Sequence, residues 1–303
     1  MKVNNIFGIV AMSLLMLTAC DQFAHNEAED LIEARDVALN ASDDLEKIAS
    51  SFDKIITKYK NSKDNKVLAL TFETMVGKAD LLTLLATQKA KRGSAQTAAI
   101  RRRAIATNTA AIAFHDQVLK TLKGERPLSI EENLASAYYS NAIGYAALNN
   151  KNQSLTLYQR IIDDFSDSSN ESVLDTVARS LNNKGAMFDY SGRYQEAIDS
   201  YSELLKRFKN TPNEELQIIV TTTLYNKGYA LQNLNKLEEA LSFYEQVIDR
   251  TRGVKSNKAQ SSLMDALFRK SVILKKQGNK IEAARLKNEG AEIFNNLKNK
   301  NYL

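Results

Sequence analysis

Few residues in this chain could do covalent or metal chemistry. It carries two histidines, His25 and His115, and a single cysteine, Cys20. No Cys/His or His/carboxylate spacing matches a metal site, and there is no Gly-rich phosphate loop and no G-x-S-x-G nucleophile turn. The acidic pairs Asp163-Asp164 and Glu238-Glu239 fall at helix ends or turns, where solvation accounts for them. One cysteine allows no intramolecular disulfide. The expectation is therefore a protein with no catalytic site, no metal and no cofactor. The densest cationic group is Arg101, Arg102 and Arg103, with Lys89, Lys91 and Arg92 nearby. It could meet anionic headgroups or an acidic partner, although a solvated helix face is the simpler reading. A net charge of +5 over 303 residues does not argue for a nucleic-acid partner.

The elements that would position a site are helices. Two prolines and eleven glycines are few for a chain of this length, and no run of alternating valines or threonines suggests a sheet. Two stretches repeat at an interval of 43 residues. The first is Leu181-Asn182-Asn183-Lys184-Gly185, with Phe188, Ala197-Ile198 and Tyr201 after it. The second is Leu224-Tyr225-Asn226-Lys227-Gly228, with Leu231, Ala240-Leu241 and Tyr244 after it. The same frame moved back meets Tyr138, Ala142 and Tyr158; moved forward it meets Leu267, Ser271 and Ala283-Ala284. Leu224, Gly228 and Leu231 share one helix face, Asn233 to Lys236 interrupt the pattern, and Leu237 to Ile248 give a second apolar stripe. Each unit is thus a helical hairpin. Glycine at 185 and 228 should let the two backbones approach.

This pattern resembles the tetratricopeptide repeat, whose signature runs W-x2-L-G-x2-Y, then A-x3-F, then P. Gly185 and Gly228 take the glycine, Phe188 and Leu231 the next aromatic, Ala197 and Ala240 the alanine, and Tyr201 and Tyr244 the last aromatic. Leucine stands where the family prefers tryptophan, and the closing proline is missing. The interval exceeds the usual thirty-four residues, as in kinesin light chains, so longer helices are expected. Family-length units fall at about 135–168, 178–211, 221–254 and 264–297, and a degenerate unit at about 92–125 is suggested by Ala111 to Leu119. In the last unit Lys287, Gly290 and Ala291 replace Tyr244, Val247 and Ile248, as a terminal capping repeat requires. The fold class expected is an all-α solenoid of helical hairpins with an N-terminal helical region.

The resemblance implies a concave face built from the second, fifth, sixth, ninth and thirteenth positions of each first helix. Those residues are Arg179, Asn182, Asn183, Ala186 and Tyr190; Thr222, Tyr225, Asn226, Tyr229 and Asn233; and Asp265, Phe268, Arg269, Val272 and Lys276. Binding is assigned to Arg179, Asn182, Asn183, Thr222, Tyr225, Asn226, Tyr229, Asn233, Phe268 and Arg269. Asparagine amides can both donate to and accept from a peptide backbone, and Arg269 could hold a carboxylate. The set matches the carboxylate clamp of heat-shock co-chaperones only in part, since Asp265 stands where a lysine is expected.

The start of the chain has its own signature. Lys2 and the apolar run from Ile6 to Leu17, too short to span a bilayer, make a targeting segment. Leu17-Thr18-Ala19-Cys20 resembles the lipobox of bacterial lipoproteins, which implies removal of 1–19 and acylation of Cys20. Asp21 resembles the enterobacterial signal for retention in the inner membrane. Residues 20–28 would then be a short tether on the periplasmic face, reaching at most ~30 Å. From Leu31 the apolar positions run 31, 34, 38, 41, 45, 48, 52, 55 and 59, either packing as antiparallel helices or forming a coiled-coil seam. Asp43 with Glu46 reads as a capping box that restarts a helix. The organisation expected is a signal at 1–19, a tether at 20–28, a helical region at 29–126 and the solenoid at 127–303. The function expected is a membrane-anchored scaffold holding a protein or peptide partner in envelope assembly. A passive spacer or homo-oligomerisation subunit, or an accessory or sensor subunit of an envelope enzyme, is the alternative.

Overall fold

A computed structural model of the chain describes residues 27–89, 94–121, 128–300 and 302. The expected signal peptide, Cys20, Asp21, His25, Lys91 and Arg92 lie outside them. Among the described residues there are twelve α-helices and no strand. They form two compact units, one ending at Thr176 and the other beginning at Val177. The division falls inside a helix, where the sequence suggested a boundary at 126/127. The first clear repeat joins the N-terminal unit because its leading helix packs on two helices before it.

In the N-terminal unit, α1 (Glu27–Asn40) and α2 (Leu45–Tyr59) carry the three-four apolar spacing. Leu31, Ala38, Leu45, Ile48, Phe52, Ile55 and Tyr59 are all buried, in one core with Val67, Leu70, Leu82 and Leu85. Packing inside the chain therefore uses this stripe, and no open coiled-coil seam is left over it. The core reaches back to Ala28, fully buried in the first turn of α1, so Glu27 and Ala28, the last two residues of the expected tether, are already part of that helix. The cap of α2 is Asp44, whose carboxylate accepts from the Glu46 N–H at 3.0 Å, and not Asp43. Asp43 sits one residue too far from the first helical turn to reach its orphan N–H groups.

Helix α3 (Asn65–Gln88) is capped by Asp64 and pairs along its length with α4 (Ala95–Thr121). Of the degenerate unit expected at 92–125, the described residues 95–121 form this one unbroken helix. No glycine or proline interrupts 95–121, and alanines dominate it. The repeat-like segment at 111–119 is the second half of a hairpin whose first helix is α3. His115 is buried there, its ring 5.3 Å from Phe72.

The remaining helices are α5 (Leu128–Ala147), α6 (Lys151–Phe165), α7 (Glu171–Asp189), α8 (Tyr194–Phe208), α9 (Glu214–Asn233), α10 (Leu237–Thr251), α11 (Asn257–Lys276) and α12 (Lys280–Asn299). First helices begin at 128, 171, 214 and 257, and second helices at 151, 194, 237 and 280. The first helices run 19 or 20 residues, long enough to account for the stretched interval. Side chains of Asn170, Asn213 and Ser256 accept N–H groups of the first turns of α7, α9 and α11.

The turns of the four hairpins from α5 to α12 each hold one residue in the left-handed region: Asn149 (φ 62°), Gly192 (φ 73°), Asn235 (φ 60°) and Gly278 (φ 84°). The next N–H returns to a carbonyl five residues back, from Asn150 to Tyr145, Arg193 to Phe188, Lys236 to Leu231 and Asn279 to Leu274. This is the Schellman closure, which needs a residue tolerant of positive φ at that one place.

The hairpin crossings use the expected residues. Tyr158, Tyr201 and Tyr244 are buried, as are Leu181, Leu224 and Leu267 at the position where the family prefers tryptophan. A Cβ built on Gly228 would lie 2.9 Å from the Tyr244 ring, and one on Gly185 would collide with the Tyr201 ring. The hydroxyls of Tyr201 and Tyr244 also have partners near the ends of their first helices. Tyr201 donates to Asp189 at 2.7 Å and Tyr244 to Gln232 at 2.8 Å. In α12, Lys287 and Ala291 are exposed while Gly290 is buried.

A candidate binding face on the first helices

The C-terminal unit gathers the candidate residues of α7, α9 and α11 into a laterally bonded row. Asn226 Nδ2 donates to Asn182 Oδ1 at 3.1 Å, and the Thr223 hydroxyl approaches the same oxygen at 3.2 Å while donating to its own helix. Further along, Arg269 Nε donates to the Tyr225 hydroxyl at 3.2 Å. The Arg269 guanidinium lies 4.7 Å above the Tyr229 ring, and Tyr225 tilts against Tyr244 at 5.9 Å. Asp265, one turn before Arg269, is half-buried; burial raises its carboxyl above the usual range, and the Arg269 charge opposes the rise. Lys227 lies 4.6 Å over the Phe243 ring, and burial holds its ammonium below the usual lysine range.

These contacts divide the expected set. Asn182, Tyr225, Asn226, Tyr229 and Arg269 are half-buried and make two separate sets of lateral contacts, Asn182 with Asn226, and Arg269 with Tyr225 and Tyr229, so the Asn182 and Asn226 amides already serve each other. Asn183 is half-buried alongside, and Arg179 is exposed. Thr222 and Asn233 turn back on their own helices, donating to the carbonyls of Ile218 and Tyr229. Phe268 faces its hairpin partner: a Cβ at Gly290 would stand 3.2 Å from its ring. The fifth helical position borders the second helix, and a ring as large as phenylalanine fills that border before it reaches the open face. The open part of the face is mixed: Tyr190 is 87 % exposed and Val272 46 % exposed, and Arg179, Asn233 and Lys276 are exposed as well.

Arg101, Arg102 and Arg103 do not form a single basic patch. Successive helical residues point 100° apart, and Arg103 meets Glu46 at 2.6 Å, a carboxylate that Lys89 also approaches at 3.9 Å. Arg102 borders an open groove of about 750 Å³ lined mainly by Ile105, Ala106, Ala110, Ala113 and Tyr145, which the sequence did not single out. Among the described residues no group of three acidic, histidine or cysteine side chains could hold a metal ion.

Known proteins place this geometry. A tetratricopeptide repeat family model matches residues 221–253, inside the unit read at 221–254. The fold is a tetratricopeptide-like solenoid. BtubC (BKLC) from P. vanneervenii superposes with a TM-score of 0.60 at 14 % identity, over 85 % of this chain and 93 % of that one. The STAND signal-transduction ATPase with a tetratricopeptide repeat sensor from Pyrococcus horikoshii gives 0.61 at 10 % identity, over 91 % of this chain and 38 % of that one. The apo form of RapI gives 0.52 at 14 % identity, over 88 % and 76 %. At such identities the likeness is one of fold. No curated protein matches the chain in sequence.

Proposed function

We propose that this protein is a lipid-anchored scaffold of a bacterial envelope, holding a protein or peptide partner on the first-helix face of its C-terminal unit. The observation that carries the reading is the pair of lateral bonds across α7, α9 and α11, Asn182 with Asn226 and Tyr225 with Arg269, on a face where Tyr190 and Val272 are exposed. Aromatic and arginine side chains held in place cost little ordering entropy on binding and are enriched among interface hot spots. Stacked-hairpin proteins commonly work through such extended faces. The anchor rests on Leu17-Thr18-Ala19-Cys20, and retention in the inner membrane, facing the periplasm, rests on Asp21.

The test is site-specific photocrosslinking in cells. A photoreactive residue at Tyr190 or Val272 should capture the same partner, while one at Ile281, 87 % exposed at the start of α12, should capture none. Adding Tyr229→Ala with Arg269→Ala should remove the adduct while helical content is kept. Capture that is equal at all three positions, or indifferent to the double substitution, would overturn the reading.

A further inference from the structure

The open groove that Arg102 borders, about 750 Å³, follows α4 and is walled on its other side by Tyr145 from the end of α5 and Leu148 from the turn after it. On the α4 side, Ala99, Arg102, Ala106, Thr109, Ala113 and Asp116 are all exposed and succeed one another at intervals of three and four. At 100° per residue such a series stays on one line along the helix, which is the spacing of a seam between two packed helices. The other second helices present a different surface. Arg160 and Asp163 on α6, Asp199 and Lys206 on α8, and Glu238 and Asp249 on α10 are at their exposed or outward positions. Helix propensity would be served nearly as well by glutamate, lysine or arginine as by alanine. The alanines of α4 therefore answer to space, because short side chains let a second helix axis come close.

The order of residues along the line says which helix fits. Laid against an antiparallel copy of itself and centred on Thr109, the line sets Ala106 against Ala113 and Arg102 against Asp116, to within one residue and at both ends. Each end then meets its opposite charge. Among the described residues Arg102 makes no ion pair, and Asp116, its side chain 59 % exposed, is approached only by Nδ1 of its neighbour His115 at 3.4 Å. The next arginine differs, since Arg103 is already held by Glu46 at 2.6 Å. A two-fold pair of this kind is isologous: one self-complementary patch serves both copies.

We propose that the outer face of α4 is a self-association surface, on which two copies of this chain pair antiparallel along the line 99–116, each α4 lying in the other's groove. The surface belongs to the N-terminal unit and does not rest on the face proposed above to hold a partner. Sedimentation equilibrium on the full chain, in a density-matched detergent, tests it, and a monomer–dimer equilibrium is expected. Arg102→Asp or Asp116→Arg alone sets like charges opposite each other at both ends and should weaken the dimer about tenfold or more. Both changes in one chain should restore it. The two single variants, once mixed, should pair with each other, since each supplies the charge that the other lacks; a partner of different sequence would not show this reciprocity. The substituted positions are exposed, so circular dichroism should find the helical content unchanged. A full chain that stays monomeric at ~0.1 mM, a dimer indifferent to the single reversals, or single variants that remain apart when mixed would each overturn the proposal. So would a monomer in which a photoreactive residue at Ala110 captures a different protein, and the groove would then belong to that protein.

Discussion

At the scale of single residues, glycines and asparagines do different work according to where the backbone puts them. Gly185 and Gly228 are helical and lie under tyrosine rings, so the constraint on them is space. Gly228→Leu should lower stability by ~1–3 kcal/mol through overpacking, read as a shift in the urea midpoint at unchanged slope. Gly192 has open space around it and a φ of 73°, so the constraint is conformational. Gly192→Val should cost about 1 kcal/mol or more, although no neighbour is touched. Asn235 obeys the same rule at φ 60°, and a leucine there would also be strained despite its exposure. Asp80 adds a pH dependence. Its carboxyl is raised above the unfolded value of 3.8 to about 6, so the folded state binds more protons than the unfolded one between those values. Stability from this group is fully present below 3.8 and is lost as pH rises through about 6. Asp80→Asn should flatten that fall and stabilise the chain near neutral pH by something on the order of 1–3 kcal/mol; an unchanged profile would show that the carboxyl is not held up by burial.

At the scale of elements, the hairpin is closed at its turn by hydrogen bonds that the apolar pattern does not display. The Schellman turn fixes the link, and the tyrosine hydroxyl of the second helix ties back to the end of the first. The Tyr201 hydroxyl meets Asp189, whose carboxyl burial raises and that hydrogen bond lowers. Tyr201→Phe should cost about 1–2 kcal/mol, because it leaves a half-buried carboxylate without its donor. A double change with Asp189→Leu should recover part of the loss. Additive losses in that thermodynamic cycle would mean that the two side chains do not interact. Neighbouring hairpins are joined by the Asn182–Asn226 and Tyr225–Arg269 bonds, so the face proposed to bind a partner also couples its own repeats.

At the scale of the whole molecule, no described helix is long and apolar enough to cross a bilayer, and attachment is proposed to rest on Cys20 alone. Each buried methylene of an acyl chain contributes ~0.8 kcal/mol, so two or three chains would hold firmly where one is marginal. Mass spectrometry of the mature chain should find an acylated Cys20 at its amino end, and Cys20→Ser should move the protein into the soluble fraction. A serine variant that stays membrane-bound would refute the anchor.

The sequence by itself determined the helical class, the hairpin and the places of Gly185, Gly228, Tyr201 and Tyr244, because apolar periodicity and small-to-large pairing are local properties of the chain. It also marked Tyr225, Tyr229 and Arg269 as first-helix residues away from the core stripe. Only the tertiary structure decided that Phe268 turns to Gly290, that Asn182 and Asn226 bond to each other, and that 95–121 is one helix paired with α3. It alone buried Asn108 and Asn141. Their spacing of 33 residues follows no repeat interval, and a polar residue in a helical pattern reads as solvated until a second helix is seen to cover it. Partner choice within a stack depends on which side chain reaches furthest across a gap, and that distance is set by packing between hairpins.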